Sequence, residues 1–305
     1  GGRENKATDM AFAQFVEFAG NVPLSSVTRR TVHDWMEWLV NSRGQASGTI
    51  RRRLGAMKAI VNFARDRELL DGRNPFERMK PPKTAKPPKD ILPFHATHLQ
   101  AIEAYLSDAK RVRPETRHLI NMLRLTGCRP SEIAGLKVED LQLNTDIPYA
   151  MVRWTDDRRL KTPQSQRRVP LVGAALEGAR ELARIRKTGW LFPSLAPKDG
   201  QGNTNPAMSQ RVNKLIRAAG VPKTDQLVAY SFRHTMIEAL DQVPTLSFKV
   251  RQRAVGRGKT DQYGAKEQPL QVSLDAMNAA IPLLGRVDEV MYEPWMLKIG
   301  EGDDT

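Results

Sequence analysis

The chain has 305 residues and carries 48 Lys and Arg against 34 Asp and Glu, a formal net charge of +14 with a sequence pI near 10.1. At roughly 150 residues per domain that length suggests two domains, and a hydrophobic share of 40% excludes a chain disordered throughout. No run approaches the ~18 uninterrupted apolar residues of a membrane span and no signal-peptide pattern opens the chain, while a single cysteine, Cys128, excludes an internal disulfide and a cysteine-built zinc site. The inventory predicts a soluble cytoplasmic protein whose surplus cations seek an anionic partner, nucleic acid first.

Gly1 and Gly2 stand outside the fold argument, and residues 3–79 read as a small helical domain. Phe12, Phe15, Val16 and Ala19 follow the i, i+3, i+4, i+7 stripe of a helix that Gly20 stops. Val32, Trp35, Met36 and Leu39 form a second stripe, entered from Thr28 or Thr31, and Ile50, Leu54, Met57, Val61 and Ala64 form a third. That third helix carries Arg51, Arg52, Arg53, Lys58 and Arg65 mostly on its other faces. Few acids compensate the run, which admits nucleic-acid contact beside the ordinary solvated face.

Residues 80–93 read as a linker. The prolines of Lys80-Pro-Pro-Lys-Thr-Ala-Lys-Pro-Pro-Lys89 favour polyproline II, and Lys80, Lys83, Lys86 and Lys89 recur at its three-residue period along one edge. Nine steps at ~3.1 Å give roughly 28 Å of one-sided positive charge, suited either to a phosphate backbone or to a soluble spacer. Residues 94–287 alternate helical stretches with one β patch, in which Tyr149–Trp154 and Arg167–Leu171 flank the basic connection Thr155–Gln166. Leu176, Ala179, Leu182, Ala183 and Ile185 then mark one helix and Ala207–Ala219 another, and residues 288–305 form an acidic tail. The fold class expected is mainly α, with a helical first domain and a mixed, mostly α second domain holding a small antiparallel sheet.

Three stretches carry chemistry. In Leu123–Leu141, LRLTGCRPSEIAGLKVEDL, Gly127 allows a tight turn and Pro130 and Ser131 suit a helix start. Arg129 is thereby held at a helix N-terminus, where backbone N–H groups and a guanidinium can converge on an anion, with Glu132 near enough to buttress a neighbouring side chain. Val228–Leu240, VAYSFRHTMIEAL, places Arg233 and His234 near the beginning of a helix, and Thr260-Asp-Gln-Tyr-Gly264 sets Tyr263 beside a permissive glycine.

At these residues the chain resembles the tyrosine recombinases, the phage-integrase family of DNA strand-exchange enzymes, over nearly its whole length: helical core-binding domain, basic linker, catalytic domain. The resemblance implies that Arg129 and Arg233 grip the scissile phosphate, that Lys161 in RLKTPQSQRRVPL is the lysine of the family's β-hairpin, and that Tyr263 is the nucleophile. Arg158, Arg159, Arg167 and Arg168 stand close enough to rival Lys161 for a phosphate contact, and Tyr292 is a second candidate nucleophile whose neighbours Glu289 and Glu293 would repel a phosphate. Two positions depart from the family pattern. Tyr230 stands where a histidine usually lies, three residues before the second arginine, and the window two helical turns before the nucleophile reads Arg253-Ala-Val-Gly-Arg257, with Ala254 or Arg257 nearest the place of a histidine or tryptophan. His234 and Arg257 are supporting candidates. A phenol is protonated near neutral pH, so at position 230 it is expected to donate a hydrogen bond to the phosphate rather than act as a base.

The chemistry is consistent with this set. Two bidentate arginines can stabilise the charge of a phosphodiester in flight without a metal, and no cofactor is called for. A tyrosine nucleophile stores the broken bond as an ester, so rejoining needs no external energy source, and a mobile lysine can protonate the leaving 5′-oxygen. The resemblance implies a duplex DNA site clasped by both domains, a homotetramer docked through the C-terminal segment, a possible accessory DNA-bending protein, and a phage or bacterial setting. The alternatives are a degenerate relative that binds a DNA site without efficient cleavage, and a basic RNA-binding module, which leaves Tyr263 and the arginine pair unexplained.

Overall fold

A computed structural model describes residues 2–82, 90–108, 110–155, 166–196, 205–223, 226–257 and 269–285, with backbone alone at 2–6 and 205. Of the residues singled out above, Lys83, Lys86, Lys89, Arg158, Arg159, Lys161, Tyr263 with the rest of 260–264, and the tail 288–305 lie outside these stretches. The chain divides into two compact units, Gly1–Asp90 and Ile91–Thr305, with the division inside the Pro/Lys segment.

The first unit packs three helices, α1 (Gly2–Ala19), α2 (Arg29–Asn41) and α3 (Ser47–Arg65). Thr28 caps α2: its hydroxyl accepts from the Thr31 backbone N–H, and Thr31 Oγ1 accepts from the Thr28 N–H in return. Val32, Trp35, Met36 and Leu39 are all buried, as the periodicity of this helix requires. The core closes around Phe15, Trp35 and Phe76, whose rings meet edge to face at centroid distances of 5.3, 5.5 and 6.1 Å. The α1 stripe differs from expectation. Ala11 and Phe15 turn inward while Phe12 is exposed, because the helix buries an i, i+4 pair in which alanine permits close approach to α3.

The second unit is built on α5 (Pro114–Thr126), which enters with proline at its first turn and whose Leu119, Ile120, Met122 and Leu123 are fully enclosed. It packs between α7 (Gly173–Arg186) and α9 (Ser231–Asp241). The remaining elements are α4 (Ala96–Ser107), the short α6 (Pro130–Ala134), α8 (Asn205–Ala218), α10 (Phe248–Ala254) and α11 (Leu270–Ala280). On α7 the small residues Ala175, Gly178 and Ala179 join Leu182 in the interior, whereas Ile185, expected on the buried stripe, is exposed.

A three-stranded antiparallel sheet of β1 (Leu141–Gln142), β2 (Tyr149–Val152) and β3 (Arg167–Pro170) completes the unit. The two expected strands are present, slightly shorter than read, and β1 is an addition too short to leave a pattern. The register pairs Val152 with Arg167 and Ala150 with Val169. Strand alternation therefore puts Arg167 on the same inward face as Val169 and turns Arg168 away. Among the described residues no helix is long and apolar enough to cross a membrane.

Candidate active site

Gly127 and Pro130 create the first half of the site. Gly127 ends α5 in the left-handed conformation, at φ +60°. A Cβ there would come within 2.6 Å of Met236 Cγ, so the turn admits no side chain. Two residues on, Arg129 immediately precedes α6. Its backbone N–H donates to Glu132 Oε2 at 2.9 Å and its Nη1 donates to Glu132 Oε1 at 2.7 Å. Arg129 Nη2 donates to the Gly256 carbonyl at 3.3 Å. Glu132, only 3% exposed, thus fixes the first arginine at both ends.

The second arginine stands at the start of α9. Ser231 Oγ accepts from the Val228 N–H and donates to the Gln226 carbonyl, and Thr235 Oγ1 accepts from the Phe94 N–H at 2.7 Å. These bonds set the entry of the helix, and the Phe94 and Phe232 rings pack at 4.7 Å beside it. Arg233 is 1% exposed, and its Nη1 donates to the Gly127 carbonyl at 2.9 Å. Its Nε and Nη2 have no hydrogen-bond partner among the described residues. Burial pulls this guanidinium down to about 10; Tyr230 works against the fall and Arg129 adds to it. Tyr230, half-buried, is the residue just before α9, with its ring 5.4 Å from that of His234 one turn on.

A third arginine enters from the sheet. Arg167, 7% exposed, donates through Nη2 to Glu132 Oε2 at 3.0 Å and to Cys128 Sγ at 3.1 Å. Burial alone would raise the Glu132 carboxyl, but the Arg167 charge and the N–H groups of both arginines hold it below the usual carboxylate range. Burial pushes the Cys128 thiol up, keeping it a neutral acceptor. Among the described residues the guanidiniums of Arg129, Arg167 and Arg233 gather around the Glu132 carboxylate.

The other candidates are placed as follows. Ala254, near the family's third histidine-type position, is buried on the inner side of α10, while Arg257 is half-buried beyond the turn that follows it. On α3, Arg51 and Arg52 are exposed, and Lys58 lies 3.7 Å from Glu77 Oε1. Arg53 turns instead to α1, donating to the Ala7 carbonyl at 3.2 Å and to Met10 Sδ at 2.7 Å, so its cation is engaged within the unit. Lys80 is exposed. Among the described residues no three His, Cys, Asp or Glu side chains cluster so as to hold a metal ion. Arg167 entered the sequence reading only as a rival to Lys161; its signal was the two-residue alternation that pairs it with Val169 on the core face.

Comparison with known proteins agrees with this arrangement. Residues 93–243 match the model of the phage integrase family. Over 133 residues the chain is 29% identical to the tyrosine recombinase XerC of Roseiflexus castenholzii, a match that covers 43% of this chain and only 41% of that relative. In fold it is similar to the integrase of the Tn1549 transposon, solved in complex with transposon right-end DNA, at a TM-score of 0.60 and 16% identity over 92% of this chain and 93% of that one. It is likewise similar to lambda integrase, solved as a tetramer bound to a Holliday junction, at a TM-score of 0.62 and 13% identity over 88% and 75% of the two chains. With the arginine-bearing turn, the helix-start arginine and the small sheet all inside or beside the matched stretch, the chain belongs, through residues 93–243, to the tyrosine recombinases of the phage integrase family.

Proposed function

We propose that the protein is a site-specific DNA recombinase that cleaves and rejoins duplex DNA through a 3′-phosphotyrosyl intermediate. The observation that carries the reading is Arg233, a buried guanidinium with two nitrogen atoms unpartnered among the described residues, beside Arg129. A buried unpaired cation is costly to keep unless an anion completes it. A cluster of three guanidiniums suits the dianionic phosphorane of the transition state better than the monoanionic diester, which is the requirement for lowering a barrier.

In this reading the Tyr263 hydroxyl gives its proton to solvent water and its oxygen bonds to phosphorus as the bond to the 5′-oxygen breaks. Arg129 and Arg233 neutralise the equatorial oxygens, Tyr230 donates a hydrogen bond to one of them, and Lys161 protonates the departing 5′-oxygen. Rejoining is the reverse, with the 5′-hydroxyl attacking the phosphotyrosine ester. Duplex DNA is held mainly through phosphate contacts from exposed cations such as Arg51, Arg52 and Lys80, and a tetramer on two DNA sites is the assembly proposed, after the tetramer in which lambda integrase was solved.

A second reading, a DNA-binding relative that cleaves poorly, draws on Tyr230 and on the buried Ala254, which cannot exchange protons. One experiment separates them. The protein is incubated with genomic DNA, denatured, and the DNA that remains covalently attached is sequenced. A single recurring junction sequence, lost in Tyr263→Phe with duplex affinity nearly unchanged and kept in Tyr292→Phe, is the expected result. Binding without adduct favours the second reading, and adduct that survives Tyr263→Phe overturns the assignment of the nucleophile.

A further inference from the structure

The two arginines of the clamp are not held alike. Arg233 keeps donor atoms without a partner among the described residues, whereas Arg129 is tied to Glu132, a buried carboxylate that could neutralise it. An arginine whose charge is already answered by a carboxylate 2.7 Å away has little left for a phosphate. Resting on the phosphate-clamp reading, we propose that Arg167 is a positioning residue that takes up the charge of Glu132, leaving Arg129 oriented by that carboxylate but electrostatically available to the phosphate.

The geometry supports the division of labour. Glu132 Oε2 receives Arg167 Nη2 at 3.0 Å together with the Arg129 backbone N–H, while Oε1 receives Arg129 Nη1. The carboxylate is therefore shared, with Arg167 on the oxygen that does not take the Arg129 side chain. Arg167 is held to this place from three directions: by the strand pairing of β3, by Cys128 Sγ at 3.1 Å, and by the backbone of Gly256. Gly256 has φ +65°, and a Cβ on it would lie 2.5 Å from Arg167 Nη1. Its carbonyl also receives Arg129 Nη2. The turn after α10 thus packs against one arginine while it aims the other. Arg167 follows Lys161 by six residues and Gly256 precedes Tyr263 by seven. Both supports of Arg129 consequently lie on the sequence flanks of the segments that bring the lysine and the nucleophile.

The test uses the full chain and a duplex recovered by binding selection. Single-turnover adduct formation is measured for the native protein, Arg167→Met, Arg167→Lys, Gly256→Ala and the pair Arg167→Met with Glu132→Gln. Each is run on the ordinary phosphodiester and on a duplex with a neutral methylphosphonate at the scissile position. Arg167→Met is expected to lose about 10²-fold on the diester, the scale of a misplaced clamp, and much less on the neutral centre, which has less need of Arg129. Gly256→Ala should follow it, Arg167→Lys should recover part of the rate, and adding Glu132→Gln should restore rate rather than remove more. Equal losses on both substrates, or losses that simply add, mean that Arg167 only holds the fold and overturn the proposal.

Ethylation interference, which reads phosphate contacts without cleavage, keeps the two hypotheses apart. A native protein that makes no adduct sinks the strand-cleavage reading. The positioning role then stands if Arg167→Met loses interference at one phosphate alone, and falls if its footprint equals the native one or if the native protein shows no footprint.

Discussion

Removing the buried charge of Arg233 should make the protein more stable while it destroys the site. Arg233 is 1% exposed, and burial lowers its guanidinium from its ordinary value to about 10. At about 1.4 kcal/mol per pKa unit, that fall corresponds to roughly 3 kcal/mol of folding free energy lost to burying the charge. The sign follows from linkage. The folded state holds this proton more weakly than the unfolded one, so the penalty is fully present at every pH below about 10 and eases only as pH climbs from there toward the ordinary guanidinium value. Against it stands one charge-assisted bond, from Nη1 to the Gly127 carbonyl at 2.9 Å, of a kind that contributes about 1.5–3 kcal/mol.

Arg233→Met keeps most of the apolar stem and removes both terms, for a net gain of about 0–2 kcal/mol. In a unit of this size each kcal/mol moves Tm by about 2–4 °C. Thermal denaturation at neutral pH, with and without inorganic sulfate, measures it. The native protein should gain stability from sulfate through mass action on the arginine pair. Arg233→Met should melt at or above the native temperature, lose most of the sulfate increment, and form no covalent adduct. A variant that melts many degrees lower while keeping the sulfate response would show that Arg233 is a structural strut, and would refute the reasoning from its unpartnered nitrogens.

Three further outcomes are expected. Single-turnover cleavage between pH 6 and 9 should be fastest near neutrality for Tyr230→His and slower than native at every pH for Tyr230→Phe; a phenylalanine variant equal to native throughout would make Tyr230 a packing residue. Neutralising Lys80, Lys83, Lys86 and Lys89 together should flatten the dependence of log K on log salt by up to ~0.9 per contact, uniformly across DNA sequences, and an unchanged slope would make the segment a plain spacer. Gly127→Ala should lower stability in denaturant titration by about 2–4 kcal/mol, because the left-handed backbone and the close approach of Met236 each penalise a Cβ; a variant as stable as native would mean that the turn can relax.

The parts of the fold legible in the sequence are those with a single strong local cause. Thr28 and Thr31 start α2 by a reciprocal cap, and Gly127 and Pro130 write the end of one helix and the start of the next into four residues. Phe12 and Ile185 misled for a different reason. Hydrophobic size marks a core face only where large residues make it, and here Ala11, Ala175 and Gly178 are buried while the larger Phe12 and Ile185 are exposed. Arg53 could not be separated from Arg51 and Arg52 by spacing, since its partners Ala7 and Met10 lie more than forty residues away in sequence. Arg167 was legible in principle. The run Arg167-Arg168-Val169 alternates, and a strand that buries valine must bury the arginine two residues before it.

The use of arginine at position 233 follows from the same burial that makes it expensive. A guanidinium lowered to about 10 remains protonated through the whole physiological range. A lysine starts about two units lower than an arginine, and the same burial would disfavour its charged form too, so it would hold its proton less securely. The point charge would also lack the fork that keeps one nitrogen on the Gly127 carbonyl and leaves Nε and Nη2 without a partner among the described residues. Arg129 meets the complementary difficulty. It is well supported, but by an acid, and the acid must itself be answered, which is the place that Arg167 fills. The site is therefore a set of mutually dependent charges, in which each cation close to the phosphate requires a neighbour that holds it without neutralising it. In the proposed mechanism such a set should tolerate a tyrosine in place of a histidine more readily than the loss of any one arginine, because the hydroxyl would change how a proton moves while the arginines would decide whether the phosphate is held at all.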